Sequence, residues 1–290
     1  MTTTTKKTAV ELSHRVKSIL TDNSKLRKLP SGEEIINAGV TLAPSRRSGV
    51  TNVCPKATGG CIVGCVLWFA GRTVTKVVRD AAIARTKLWH YYPQVFYSRL
   101  RAALRALVKR AAKKGARAFC RLNVASDIDH THICNEFPSV TFYDYSKMTD
   151  RVLSYALGLA PSNYAASLSI SEATTWQEAY NCHSLGVNLV VVFDSYYFGP
   201  QHRYGVLPES VTFRGPNGQE FICRVIDGDI HDIRTPEFDG CSNCVALRGK
   251  GSKASKLKAM SHGFIRHFAG GSRWYVNEYV CSGSVVVELL

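Results

Sequence analysis

The sequence contains no apolar stretch long enough to cross a membrane. Its longest nearly uncharged run, residues 61–71, is about half of the roughly 20 residues that a bilayer-spanning helix needs. The Thr- and Lys-bearing start has no apolar signal-peptide core, so a cytoplasmic protein with no membrane partner is expected. There is no nucleotide-binding glycine fingerprint, no HExxH and no ordered Ser-His-Asp set. No internal repeat, low-complexity tract or long linker is present. Acidic residues are scarce, with 22 Asp+Glu against 37 Lys+Arg in 290 residues and a net charge of +15. Hydrophobic residues make up 45%, enough to bury a substantial core, which excludes disorder. One compact α/β domain over residues 49–290, preceded by an N-terminal extension over 1–48, is the economical division.

The charge is patterned. Residues 81–126 hold 11 Lys or Arg and no acid, and residues 241–277 hold seven more, again without an acid. In the first window Leu100, Ala103, Leu104, Leu107, Val108 and Ala111 follow the rhythm of an amphipathic helix. Arg101, Arg105, Lys109 and Lys113 recur every four residues on another face, which spaces the charges about 6 Å apart, close to the phosphate spacing along one nucleic-acid strand. The alternative is a solvated basic helix that binds nothing. In the second window Lys250, Lys253, Lys256 and Lys258, interleaved with Gly and Ser, suggest a phosphate-contacting loop that leads into a helix.

Periodicity predicts helices over residues 74–90, 94–114, 149–157 and 174–183. Strands are predicted over 118–122, 140–145, 165–170, 189–193, 221–226 and 245–247. Alternating helices and near-continuous apolar strands imply a mostly parallel sheet, as a complete or partial β/α barrel. In such folds the functional site is built just past the carboxyl ends of the strands. Those positions carry Asn123, Ser126 and Asp127, then Asp144, Tyr145 and Lys147, then Ser169, Ser171 and Glu172, then Asp194, and finally Asp227, Asp229, His231, Asp232 and Arg234. Asp127, Asp144, Glu172, Asp227, Asp229 and His231 are the candidate catalytic groups, although any one of them could instead cap a helix. Asp227, Asp229, His231 and Asp232 could also hold a divalent metal as a nuclease does, or simply close a tight turn.

Ten cysteines in a cytoplasmic protein point to free thiols or metal ligands rather than disulfides. Three of them, Cys54, Cys61 and Cys65, fall within the segment CPKATGGCIVGC, whose glycines Gly59, Gly60 and Gly64 let a loop curl around a cofactor. Such a trio can ligate three irons of a four-iron, four-sulfur cluster and leave the fourth iron to a distant cysteine, solvent or a small molecule. Zinc is the competing ligand, with the CxxC pair Cys241 and Cys244 as the source of further thiolates. Cys120, Cys182, Cys223 and Cys281 lie in apolar surroundings and are expected in the core.

The cysteine segment, RTKLW at 85–89, RLNVASDI at 121–128, FYDYSK at 142–147, SISEA at 169–173, VIDGDIHDIR at 225–234 and LRGKG at 247–251 together resemble the gene product 88 family of phages and mobile elements. The resemblance implies a phage or plasmid protein in a bacterial host, with Cys54, Cys61 and Cys65 as a shared cysteine site. The cysteine loop and barrel are also similar to radical S-adenosylmethionine enzymes, although those have CxxxCxxC where this chain has longer intervals. Three functions follow. The first is an iron–sulfur, nucleic-acid-binding protein acting in replication or DNA processing, on DNA rather than RNA. The second is an enzyme using an open cluster iron and S-adenosylmethionine. The third is a divalent-metal nuclease.

Overall fold

The computed structural model describes residues 10–69, 75–193, 207, 209–250, 252–266 and 286–288. Its strands are β1 (Leu20–Thr21), β2 (Ile35–Val40), β3 (Arg117–Arg121), β4 (Val140–Ser146), β5 (Tyr164–Ser169), β6 (Leu189–Phe193), β7 (Ser210–Arg214), β8 (Glu220–Asp227), β9 (Asn243–Arg248), β10 (Ile265–Arg266) and β11 (Val286–Glu288). They form one sheet in the order β1-β2-β3-β4-β5-β6-β9-β8-β7-β11, with β10 joined to β6. From β2 to β6, and on through β9 to β8, neighbours are parallel. The antiparallel pairs lie at the two edges. This is the mixed α/β class, with a mostly parallel sheet and intervening helices, that the alternation implies. Among the described residues the order has β1 and β11 as its two end strands.

The two faces of the sheet have different chemistry. On one, Val40, Cys120, Phe142, Leu168, Val191 and Ala246 pack into the main core with Leu88, Phe96, Leu100, Leu104 and Val152 from the helices. Those helices include Lys76–Tyr91, Pro93–Lys113, Thr149–Ala156 and Trp176–Ser184. The last begins with a capping box, in which Thr175 Oγ1 accepts from the Glu178 amide at 3.2 Å and Glu178 Oε2 accepts from the Thr175 amide at 2.8 Å. On the other face Phe119, Tyr143 and Ala165 meet Ile233, which comes from the segment following β8. Polar groups are buried there too: Asn37 donates to Tyr143 Oη at 2.7 Å, and Tyr143 Oη donates to Asp232 at 3.0 Å.

β5 and β6 separate partway along. Leu168 and Ser169 pair with Leu189 and Val190, and then β10 takes over, with Ile265 opposite Val192 and Arg266 opposite Phe193. A parallel sheet that parts at the carboxyl ends of its strands leaves a crevice there.

The predicted strands and long helices match the observed ones to within about two residues. The N-terminal extension does not stand apart. Residues 35–40 form β2, parallel to β3 inside the sheet, and Leu20–Thr21 pairs with them. Four of the six residues of β2 between Asn37 and Val40 are buried on both faces, so the strand lacks the alternation that would announce it. Asp194 and Cys281 lie outside the described residues, as do the side chains of Lys253 and of residues 286–288.

Candidate functional site

A cavity of about 210 Å³ opens at the carboxyl ends of β2 to β6 and β9, and Cys54, Cys61 and Cys65 all line it. Thr58 caps the short helix Gly59–Val63 that carries Cys61, accepting from the Cys61 amide at 3.4 Å. The Gly60 amide donates to Glu172 Oε1 at 2.7 Å. A Cβ on Gly60 would stand 2.5 Å from Phe264 Cβ and 2.8 Å from that carboxylate, and one on Gly64 would stand 2.8 Å from Ala259 Cβ. None of Gly59, Gly60 and Gly64 has a positive φ. These glycines therefore serve close packing against the following segments rather than a curled backbone.

Backbone amides point at the sulfurs. The Ser45 N–H donates to Cys54 Sγ at 3.2 Å, and the amides of Leu67 and Trp68 donate to Cys65. Burial nevertheless pushes the Cys54 thiol up to about 12 and the Cys65 thiol up to about 11, so in the free protein both hold their protons at neutral pH. Lys147, the first residue after β4, reaches into the same space and is hydrogen-bonded to Cys61 and, at 3.3 Å, to Ser169 Oγ. Burial opposes its charge, but its neighbours Cys61, Asp127 and Cys54 outweigh that and raise its pKa. Asp127 fixes the backbone here, since its Oδ2 accepts from the Lys147 amide at 2.7 Å and its Oδ1 from Ser146 Oγ at 2.9 Å. Arg151 is bonded to Asp127 as well.

Further cations line the cavity. Lys25 and Arg121 each approach Asp232 at 3.1 Å, and Lys250 pairs with Asp229 at 2.6 Å. Arg47 lies over the rings of Trp68 and Phe69, 5.5 Å from each centroid. Sequence reasoning assigned no role to Lys25, Arg47 or Arg121. Arg121 heads the segment RLNVASDI, but neither it nor Lys25 and Arg47 follows a spacing that marks a site, and only the strand order brings the three segments together.

Several candidates are committed to structure. Asp144 is buried and accepts from the Asn123 amide and Nδ2 at 2.7 and 2.9 Å, holding the loop that leads to Asp127. Burial pushes its carboxyl up to about 6. Asp227 and Asp229 are neutralised by Arg248 and Lys250. His231 Nδ1 is 3.0 Å from the Ile233 carbonyl oxygen. Among the described residues, no three His, Cys, Asp or Glu side chains gather as ligands of one metal ion. Cys241 and Cys244 are not brought to the cavity. They sit at the start of β9, where Cys244 lies opposite the first residue of β6, at the other edge of the sheet. Cys244 is buried and Cys241 exposed.

The basic helix Pro93–Lys113 runs from the cavity end of the sheet, where Tyr97 bonds to His130, to the start of β3. Arg101 is clamped by Glu136 through two bonds of 2.7 Å. Arg105, Lys109 and Lys113 remain exposed with no salt bridge among the described residues. In the later helix Lys253–Ser261, Lys258 is exposed, whereas Lys256 is 3% exposed and cannot offer its charge to an external phosphate.

Compared with known protein families, residues 11–266 match the gene product 88 family, and the chain belongs to that family. No curated protein and no solved structure matches. No helix among the described residues is long and apolar enough to cross a membrane.

Proposed function

We propose that this protein is an iron–sulfur enzyme in which Cys54, Cys61 and Cys65 hold three irons of a four-iron cluster and the fourth iron faces the cavity. The observation that carries this is the opening of three thiols, with no fourth cysteine among the described lining residues, onto one cavity at the carboxyl ends of parallel strands. Cluster ligands each take a different iron, so they stand further apart than the ligands of one ion. Zinc, which needs its ligands around one ion, is the competing reading. When bound, the cluster would supply an electron and an open iron to which S-adenosylmethionine or a substrate atom attaches.

The chain's own residues have definable tasks around that site. The amides of Ser45, Leu67 and Trp68 donate to the sulfurs and stabilise them as thiolates. The Lys147 ammonium offsets their negative charge. Glu172 fixes the cysteine helix through the Gly60 amide, and Asp127 fixes the backbone of Lys147, so both carboxylates position other groups. Val190, Val192, Leu247 and Ile265 give the cavity an apolar wall.

Anaerobic incubation with S-adenosylmethionine and a one-electron reductant should yield methionine and 5′-deoxyadenosine in wild type and neither in Cys61→Ala. The absence of both products from iron-loaded wild type contradicts the enzyme reading.

A second reading, binding of DNA in replication or DNA processing, is favoured by one observation, the exposed row Arg105, Lys109 and Lys113, which makes no salt bridge among the described residues. Replacing all three by Gln should weaken DNA binding and flatten its dependence on salt. An unchanged salt slope removes this reading. The nuclease reading finds no support, because Asp227 and Asp229 are already matched by cations.

A further inference from the structure

The cavity carries more positive charge than its acids neutralise. Lys25, Arg47, Arg121, Lys147 and Lys250 line it, and Asp127 is the only carboxylate among the described lining residues. Asp127 is already matched by Arg151. Asp232, 3.1 Å from both Lys25 and Arg121, answers two cations with one charge. Lys250 shares Asp229 with Arg248, which also pairs with Asp227. Arg47 has no acidic partner among the described residues, and Lys25 and Arg121 share Asp232, with Asp144 and Asp229 as more distant acids.

Three of these cations crowd one another. Lys25 comes from the turn before β2, Arg121 from the end of β3 and Lys250 from the loop after β9, and Arg121 and Lys250 are both close enough to repel the Lys25 ammonium. Like charges held together beside a cavity are stabilised when an anion lies between them. A planar carboxylate is best matched by a single arginine fork, and the fork of Arg121 is already occupied by Asp232 and the Asn123 carbonyl. Donors that arrive from three separate segments suit a group whose acceptor oxygens point in several directions.

We propose that the cavity binds a small phosphorylated molecule whose phosphoryl group sits among Lys25, Arg121 and Lys250, with the rest of the molecule directed towards Lys147 and the cysteines. This rests on the reading of the cavity as a substrate site, and it names the substrate class. The position also fits β/α folds generally, in which loops at the carboxyl ends of strands receive phosphate.

Calorimetric titration of the intact protein with glycerol 3-phosphate, inorganic phosphate, succinate and glycerol tests it. Glycerol 3-phosphate should bind saturably and succinate more weakly. Lys25→Gln and Lys250→Gln should each weaken glycerol 3-phosphate about tenfold, the loss expected for one charged hydrogen bond. Lys250 is partly exposed, so its variant keeps the test valid if Lys25→Gln is unstable. Lys114→Gln, at the opposite edge of the sheet, should change nothing. No saturable binding of either phosphate, tighter binding of succinate, or an equal loss in Lys114→Gln would each overturn the proposal. The same titration on Cys61→Ala separates the two readings. Phosphate binding retained in a protein without iron supports this subsite whatever becomes of the cluster, and binding lost from wild type that still holds its iron refutes this subsite alone.

Discussion

Gly60 and Asp144 illustrate how single residues hold this site without touching a ligand. Gly60 lets the cysteine helix approach Phe264 and Glu172 so closely that a methyl group has no room. Gly60→Ala should therefore lower stability by about 1–3 kcal/mol, the usual cost of overpacking, read from urea or thermal unfolding. An unchanged unfolding midpoint would show that the neighbouring segment yields freely. Asp144 is raised by burial from 3.8 to about 6, so the folded protein binds this proton more tightly than the unfolded chain does. Its contribution to stability consequently falls as pH rises from about 4 to about 6 and is level above that. In Asp144→Asn this fall is absent. The stability difference between variant and wild type should thus move in the variant's favour by about 2–3 kcal/mol over that range. A difference independent of pH would mean that Asp144 titrates normally. In the sequence Gly60 stood out as one of the glycines that let a loop curl and Asp144 as a candidate catalytic group; in the fold the first allows a close approach and the second holds Asn123. Residue type and spacing reveal that a position is special, but its neighbours decide what it does.

At the scale of elements, the segment 228–240 is the piece that closes the inner face of the sheet. Asp232 is fully buried between Lys25, Arg121 and Tyr143, and Arg234 is fully buried against Asp239 and Tyr145. Removing one member of such a buried ion group leaves uncompensated charge in a medium that solvates it poorly. Asp232→Ala should destabilise by about 3–5 kcal/mol in equilibrium unfolding. A loss under 1 kcal/mol would indicate that Lys25 and Arg121 regain water without it. This segment was legible as the polar part of VIDGDIHDIR, which begins within β8 and runs beyond it, but its alternation suggested a metal-binding face. The decisive partners, Arg248 and Lys250, lie about 20 positions later and are brought close by the parallel pairing of β8 with β9. The basic helix was readable in full from its 3.6-residue rhythm. What the rhythm could not reveal is that Glu136, from a separate 3₁₀ segment (Thr131–Glu136), covers Arg101 and shortens the cationic row.

For the whole molecule, the parallel sheet was visible because β4, β5 and β6 are rich in apolar residues, are buried on both faces and are separated by helix-length segments. The site inherits its position from that architecture. Loops after β2, β3, β4 and β9 converge at the carboxyl edge although their residues are up to about 200 positions apart, and they bring Cys54, Lys147, Arg121 and Lys250 to one cavity. The cysteine trio could be found locally, since it spans twelve residues. The cations facing it could not, because no local pattern distinguishes Lys25 from Arg27 and Lys28 or Arg47 from Arg46.

The central claim, that the three thiols share one iron–sulfur centre, is tested most directly by iron and acid-labile sulfide analysis, with a visible spectrum, of protein purified without oxygen. A brown protein is predicted, with about four irons and four sulfides per chain, both lost in Cys54→Ala, Cys61→Ala and Cys65→Ala and retained in the double variant Cys241→Ala/Cys244→Ala. A colourless wild-type protein, or one whose metal is zinc alone, would contradict it.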